Sequence, residues 1–324
     1  IRNMLETYER GLAVFNDEMH AFEKHTSFGP DVPLHPDGHA FLAEDDGRRY
    51  VYFAGAFPLV RVPATLEAYL DPARYEGFTC LKGGADPAKP EADRDEDGRL
   101  RFAWRTGAPP VDGRRQQELV RQGIIRADEA PVRLWDIETG EPITPHNGGV
   151  NYNPYRGRYV MVVSQSGGKA SFLGETWYAE ADTPTGPWIY ARRIVTHEKY
   201  SFYNPRHHPM LDAEGGRLIH FEGTYTRTFS GNPAATPRYD YNQVMYRLDL
   251  DDDRLRLPVP IYAFGAGGFA PKNRLPAGAS TPDIPFLALD RSAPGSVPVR
   301  TDANGEPAFY GAPVDAHVPG TVVL

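Results

Sequence analysis

Short segments that alternate between apolar and polar residues recur along the chain, and turn sequences separate them. The segment HAFLAED (39–45) is followed by the turn pair Asp46 and Gly47 and then by RRYVYFAGAF (48–57), which is rich in aromatic residues. This pattern is typical of two β-strands joined in a hairpin. LVRVPA and YEGFTCL supply a third and a fourth strand. The pattern therefore predicts a four-stranded antiparallel unit.

Two further units have the same design. One begins at Asn151 with NYNPYR, a turn at Gly157 and RYVMVVSQ, and continues with ETWYAEAD, the turn TPTGPW and IYARRIV. The other begins at Tyr203 with YNPRHHPMLD, the turn AEGG and RLIHFEGTYT, and continues with YNQVMYRLDLDDD and PVPIYAF. A four-stranded unit that recurs about every 50 residues is typical of the blades of a β-propeller.

The remaining segments are less regular. The segment 11–28 predicts a hairpin with a turn at Asn16 and Asp17, although its apolar residues are also spaced about one helical turn apart. The segment 86–98 is charged and contains Pro, which predicts a loop, and 114–130 predicts a helix.

These elements together predict an all-β fold, a five-bladed β-propeller with one short helical insertion, in a single domain over 1–324. Closure of the ring would remove exposed sheet edges. Four or six blades also fit the pattern. The expected blades span 37–82, 99–147, 148–198 and 201–264, with a last blade closed by 1–30 together with 280–324.

The composition agrees with short strands and narrows the class of function. The 324 residues include 32 Gly, 31 Pro, 18 Tyr and 16 Phe, which suits many turns and aromatic-rich strands. A formal net charge of -8 argues against a nucleic-acid surface, because phosphate binding needs a basic face. No apolar run reaches the ~18 residues of a membrane span. The single Cys80 excludes an internal disulfide.

Polar and aromatic residues cluster where three of the predicted blades begin, in HPDGHAF (35–41), HNGGVNYNPYR (146–156) and YSFYNPRHHP (200–209). Pro-Asp-Gly and Asn-Pro also make ordinary turns, but three such starts together favour a binding site. Adjacent His residues on a strand point to opposite faces, so His207 and His208 cannot enter a channel side by side. We expect a substrate to contact Tyr152, Asn153, Tyr203, Arg206, His207, His208, Tyr225 and His39.

Four carboxylates are candidates for the chemistry. Glu222 lies in LIHFEGTYT, where a charge is costly unless it faces the channel or has a partner. Glu175 follows Gly in FLGETWYAEAD, Asp240 lies among aromatic residues in PRYDYNQ, and Asp37 lies in a Pro-Asp-Gly turn. Glycoside hydrolysis needs two carboxyl groups. We therefore expect Glu222 and Glu175 to be the acid–base pair, with Asp240 or Asp37 in a tuning role.

No dinucleotide, phosphate-loop or zinc pattern is present in the sequence, and the chemistry just described requires no cofactor. The sequence leaves open whether a Ca2+ ion binds in the channel. The expected partner is a carbohydrate, and the sequence does not fix the oligomeric state.

The units from 151 to 264 resemble five-bladed propeller glycosidases. The stretches NYNPYRGRYVMVV, GETWYAEADTPTGPW and YNPRHHPMLDAEGGRLIHFEGTYT are similar to segments of glycoside hydrolase family 43 and of a bacterial family that includes endo-D-arabinanases. The resemblance implies a five-bladed fold and hydrolysis of furanosides or related sugars by a carboxylate pair. The two Asp and one Glu of family 43 have no unambiguous counterparts in this sequence.

The sequence thus favours a glycoside hydrolase that acts on a polysaccharide or oligosaccharide. Two alternatives stay open: a polysaccharide lyase that uses His, Tyr and Arg side chains, and a non-catalytic carbohydrate-binding propeller. We expect a bacterial protein in the periplasm or outside the cell, with any export signal removed.

Overall fold

The computed structural model describes residues 7–29, 32–83, 89–96, 98, 100–126, 129, 132–186, 188–257, 300–301 and 307–308. In this part of the chain β-strands predominate and helices are few. The strands are β1 (Arg10–Asn16), β2 (Ala21–Phe28), β3 (His39–Asp45), β4 (Arg48–Ala54), β5 (Pro58–Pro63), β6 (Glu76–Thr79), β7 (Ala103–Thr106), β8 (Val132–Asp136), β9 (Pro145–Asn153), β10 (Arg158–Gln165), β11 (Glu175–Ala181), β12 (Trp188–Thr196), β13 (Ser201–His207), β14 (Leu218–Thr226), β15 (Asn242–Asp249), β16 (Arg300–Thr301) and β17 (Pro307–Ala308). The helices are α1 (Leu66–Leu70) and α2 (Gly113–Arg121), and short 3-10 helices span Pro72–Arg74, Pro209–Leu211, Glu214–Gly216 and Asp253–Leu255.

The N-terminal segment forms a hairpin rather than a helix, as predicted. Strands β1 and β2 pair antiparallel, and Phe15 lies opposite Phe22 with their rings edge to face at 5.2 Å. The side-chain oxygen of Asn16 accepts hydrogen bonds from the backbone of Glu18 and Met19. Such a side chain closes a turn locally and favours it over a continued helix.

The first large sheet is an antiparallel meander in the order β3-β4-β5-β6-β7. Its first turn has Asp46 and Gly47 at φ values of 47° and 73°. A two-residue hairpin turn with both central residues in this left-handed region matches the natural twist of the strands, and Asp-Gly is a favoured pair for it.

The second large sheet has the order β8-β12-β11-β10-β9. Strands β9 to β12 form an antiparallel meander, and β8 runs parallel to β12 at the outer edge. Strand β10 is buried on both faces, because Val160 and Val162 pack towards β13 and β14 while Met161 and Val163 pack with Phe57 and the Trp residues of this sheet. A strand covered on both sides reads as a continuous apolar run, as VMVV does here.

The strand pairing differs from the predicted blade over 99–147. Strand β7 completes the first sheet by pairing with β6, and β8 extends the second sheet by pairing with β12, so this segment has no sheet of its own among the described residues. Which sheet β7 and β8 join depends on strands that are distant in the sequence. The local pattern of apolar and polar residues does not reveal such pairing.

Helix α2 is shorter than the predicted helix over 114–130. Asp112 begins it by accepting a hydrogen bond from the backbone of Arg115, and Gly123 follows its end at a φ of 70°. Glycine in this conformation commonly terminates helices. Leu119 is fully buried, so α2 packs one side against the core.

The third sheet has the order β13-β14-β15. Strand β9, the edge strand of the second sheet opposite β8, contacts both β3 and β13, which are edge strands of the other two sheets. These three edge strands therefore lie together. Strands β16 and β17 pair with each other. The predicted fourth strand PVPIYAF and the rest of 280–324 lie outside the described residues, so the count of five blades stays a prediction.

Arg61 on β5 joins three strands of the first sheet. Its side chain is 8% exposed, its Nε lies 2.6 Å from Glu76 on β6, and its Nη1 lies 2.5 Å from Asp45 on β3. The guanidinium also lies over the Tyr50 ring, 3.9 Å from the centroid. A buried cation held in this way stabilises the sheet only while its carboxylate partners are present.

Replacement of Arg61 by Ala is expected to lower the free energy of unfolding by about 2 kcal/mol, because two carboxylates lose their partner. The cost falls below that of a fully buried pair since Asp45 and Glu76 are 36% and 20% exposed. Urea unfolding measures it. Arg254→Ala is the control: this side chain is 86% exposed, and its loss should lower the free energy of unfolding much less than the loss of Arg61 does. Equal effects of the two changes would contradict the role of Arg61.

Candidate functional site

A cleft of about 360 Å³ lies where the edge strands β3, β9 and β13 of the three sheets meet. We call it the inner cleft. Its walls come from β3, β9, β13 and the 3-10 helix that follows β13. The side chains that bear on its chemistry are His39, Asn151, Tyr152, Arg206 and His207.

A β-bulge in β13 determines which side chains reach the inner cleft. Tyr203 lies opposite Thr224 and Arg206 lies opposite Glu222, so Asn204 and Pro205 together face the single residue between them on β14. Asn204 has a φ of 50°, a conformation that Asn tolerates better than most residues. Pro205 lacks a backbone N–H and loses nothing by leaving the ladder. A bulge shifts the alternation of all later residues.

Arg206 and His208 therefore share a face with Glu222, and of these three residues only Arg206 is among those that line the inner cleft. His208 Nε2 lies 3.1 Å from Glu222 Oε1, at ion-pair distance but without hydrogen-bond geometry. The Glu222 side chain is 33% exposed and that of His208 is 17% exposed. An imidazole and a carboxylate at this distance can share a proton after a small rotation, and catalytic contacts often tighten only when substrate is bound.

His207 points to the opposite face, as the sequence predicted for adjacent His residues. Its imidazole is buried, with Nε2 lying 2.8 Å from Asp212 Oδ1 and Nδ1 lying 3.4 Å from the amide nitrogen of Asn151. The Nε2–H therefore donates to the carboxylate of Asp212, and Nδ1 accepts from Asn151. These contacts hold the ring in one orientation at the wall of the cleft.

His39 forms the opposite wall. Burial lowers the pKa of His39, the positive charge of Arg206 lowers it further, and the backbone of Gly148 has a smaller opposite effect. His39 is therefore neutral at neutral pH. Its Nδ1 atom is buried and makes no hydrogen bond of normal geometry among the described residues, although the backbone of Gly148 lies close enough to the ring to raise its pKa.

Glu175 lies on β11, outside the lining of the inner cleft. Its side chain is 3% exposed, with Oε1 accepting from Arg193 at 2.9 Å and Oε2 accepting from the backbone of Lys169 at 3.3 Å. Gly168 approaches so closely that a Cβ there would lie 2.6 Å from Oε2. In this conformation Glu175 holds the loop between β10 and β11, and the structure does not bring it together with Glu222.

Asp240 and Asp37 are also placed away from the inner cleft. Asp240 Oδ1 accepts hydrogen bonds from the backbone of Arg227 and from Thr226 Oγ1, which closes the loop between β14 and β15. The bond from Arg227 contributes most to the lowered pKa of Asp240. Asp37 lines a separate cavity beside the N-terminal hairpin, together with Arg10 and His35.

Three of the predicted substrate-binding residues, Asn153, Tyr203 and Tyr225, are not among the residues that line the inner cleft. Asn153 is fully buried; its amide donates to Gly216 O at 2.7 Å and accepts from the backbone of Arg156 at 2.8 Å, so the prediction that it contacts a substrate does not fit its position. Tyr203 is buried, and its hydroxyl bonds to that of Tyr241. Tyr225 packs edge-on against Tyr200 at 5.4 Å.

The structure adds site residues that the sequence did not single out. Asn151 and Asp212 fix His207, and the Asn147 amide donates to Asn204 Oδ1 at 2.8 Å across the edge strands of two sheets. Asn before Pro within a strand was the available signal for the bulge at Asn204. The partner of His207 carried no local signal, because Asp212 lies beyond the end of β13.

No group of three or more His, Cys, Asp or Glu side chains in the described ranges could hold a metal ion. Whether a Ca2+ ion binds in the channel, which the sequence left open, stays open. No helix of the described part is long and apolar enough to cross a membrane.

Comparison with known proteins gives little further information. No protein-family model matches the chain, and no curated protein matches it. Two structures of variants of an exo-β-1,3-galactanase from Phanerochaete chrysosporium, both with β-1,3-galactotriose, are similar to it at TM-scores of 0.25 and 0.24 with 10% and 11% identity. The matches cover 74% and 66% of this chain but only 41% and 39% of the galactanase chain. At these scores the likeness carries no argument about the site.

Replacement of Arg206 by Gln is expected to raise the pKa of His39, because a positive charge beside the imidazole is removed. Burial, the larger cause, remains, so the pKa should stay below 6.5, the ordinary value. NMR titration of the His39 ring measures the pKa. Arg247→Gln, on the outer strand β15, is the control and should leave it unchanged. A pKa that does not move in Arg206→Gln would contradict the proximity of the two side chains.

Proposed function

We propose that this chain is a carbohydrate-active enzyme that cleaves a glycosidic bond in the inner cleft, with Glu222 as its acid–base group. The observation that carries the proposal is the pair formed by His208 and Glu222, 3.1 Å apart, on the same face of the third sheet as Arg206, which lines the cleft. Cleavage needs a group that protonates the departing oxygen, and a partly exposed carboxyl group beside an imidazole can supply that proton.

The walls of the cleft suit a sugar ring. Tyr152 is 52% exposed and lines the cleft, and its ring is held edge-on by Tyr159 at 5.4 Å. Exposed aromatic rings present a flat apolar surface with a polar tip, which matches the mixed apolar and hydroxyl surface of a sugar. Asn151 and Arg206 supply hydrogen-bond donors on neighbouring strands.

Hydrolysis also needs a second carboxyl group. The position of Glu175 in an ion pair with Arg193 supports a structural role instead. Asp212 contacts a cleft-lining side chain through its bond to His207. We propose Asp212 as the second carboxylate, acting through or beside His207.

Replacement of Glu222 by Gln is expected to lower kcat by about 10²-fold or more, because the proton donor is lost while the shape of the side chain is kept. Release of reducing ends from arabinan, galactan and polygalacturonate measures turnover, and thermal unfolding checks the fold.

Glu175→Gln is the matched control, the same change at a buried strand position. It should leave kcat within a few fold and lower the free energy of unfolding by about 1–3 kcal/mol, because Arg193 loses its partner. Near-normal turnover in Glu222→Gln would contradict the assignment. Loss of turnover in Glu175→Gln with unchanged stability would return the catalytic role to Glu175.

Elimination is a second candidate, favoured by one observation. His39 lines the cleft as a neutral imidazole, which is the form that abstracts a proton. A lyase of this kind would give a product that is unsaturated and absorbs ultraviolet light. If elimination operates, His39→Ala should abolish that absorbing product. Reducing ends without absorbance would show hydrolysis.

A further inference from the structure

Arg206 is a positive charge in the inner cleft without a negative partner. Its side chain is exposed, and no carboxylate lies within ion-pair distance of it among the described residues. Glu222 is its direct neighbour across β13 and β14, but the Glu222 carboxylate contacts His208 instead. Arg206 is therefore left to face the cleft, where it lines the wall.

His39 lines the same cleft from β3, whereas Arg206 lines it from β13. The Nδ1 atom of His39 makes no hydrogen bond of normal geometry among the described residues, although the backbone of Gly148 interacts with the ring. Two side chains that can bind a carboxylate therefore line one cleft.

We propose that the inner cleft binds an acidic sugar, a uronate, whose carboxylate lies between Arg206 and His39. Arg presents a planar fork of N–H donors that matches the two oxygens of a carboxylate, and such pairs are stronger than bonds between neutral groups. The His39 ring would donate an additional hydrogen bond to the same carboxylate. The inference rests on the proposed function, whose substrate class it names.

The other charged groups near this position are compatible with an anion. Glu222 would repel a carboxylate, but its Oε1 lies 3.1 Å from His208, whose imidazole can offset the negative charge when protonated. The two ring nitrogens of His207 contact Asp212 and Asn151, so this imidazole has no free nitrogen for an anion. Arg206 and His39 are the groups that remain available to a ligand.

Binding of matched acidic and neutral ligands tests the proposal. Trigalacturonate and a β-1,4-linked triglucuronate are titrated calorimetrically into the full chain and compared with their fully methyl-esterified forms, which keep the sugar rings but lack the charge. At least one acid should bind 10-fold or more tightly than its ester. Arg206→Gln should remove this difference, so that acid and ester bind the variant with similar affinity. Arg247→Gln, on the outer strand β15, should keep it.

Each other outcome overturns the inference. Equal binding of acid and ester, no binding of either acid, or a preference for acid that persists in Arg206→Gln would each do so. A sulfated galactose trisaccharide serves as a further probe, since Arg206-dependent binding of sulfate without binding of uronate would contradict the carboxylate assignment. The proposed function fails separately, if none of the polysaccharides above is cleaved by the unmodified chain.

Discussion

The bulge at Asn204 and Pro205 is the constraint on which the inner cleft depends. In a regular strand Pro205 would lie opposite Glu222 and Arg206 would point into the apolar core beside Phe221. The extra residue reverses which face of the sheet each later side chain points to. Arg206 therefore lines the cleft, and the next residue, His207, is buried. The bulge costs little free energy because Asn tolerates a positive φ and Pro has no backbone N–H that would lose a partner. The register of the third sheet is regular on both sides of the bulge.

The candidate carboxylates differ in how many hydrogen bonds they make: some are fully bonded within the fold, and one is free to exchange a proton. Glu175 is bonded to Arg193 and to a loop backbone, and Asp240 is bonded to its own loop. Glu222 contacts one imidazole without full hydrogen bonding and keeps a third of its side chain exposed. Groups bonded on every side have little freedom to exchange protons, whereas a partly exposed carboxyl group beside His208 retains it.

The sequence predicted the local parts of this structure well and the long-range parts poorly. Hairpins such as the one around Asp46 and Gly47 follow from neighbouring residues, because turn chemistry and alternation act over a few positions. The pairing of β7 and β8 with other sheets depends on distant strands and could not be seen. For the site, Tyr152, Arg206, His207 and His39 were expected and do line the cleft. Glu175 and Glu222 were both candidates in the sequence, and burial and the bonds of Glu175 to Arg193 and to a loop backbone separate them in the structure.

A crystal structure of Glu222→Gln with a bound oligosaccharide tests the central claim most directly, because the variant should bind substrate without turning it over. The account predicts a sugar ring against Tyr152 in the inner cleft, with its polar groups bonded to Arg206 and Asn151 and the glycosidic oxygen within hydrogen-bond distance of residue 222. A sugar bound instead on the loop between β14 and β15, or beside Glu175, with the inner cleft empty, would contradict it.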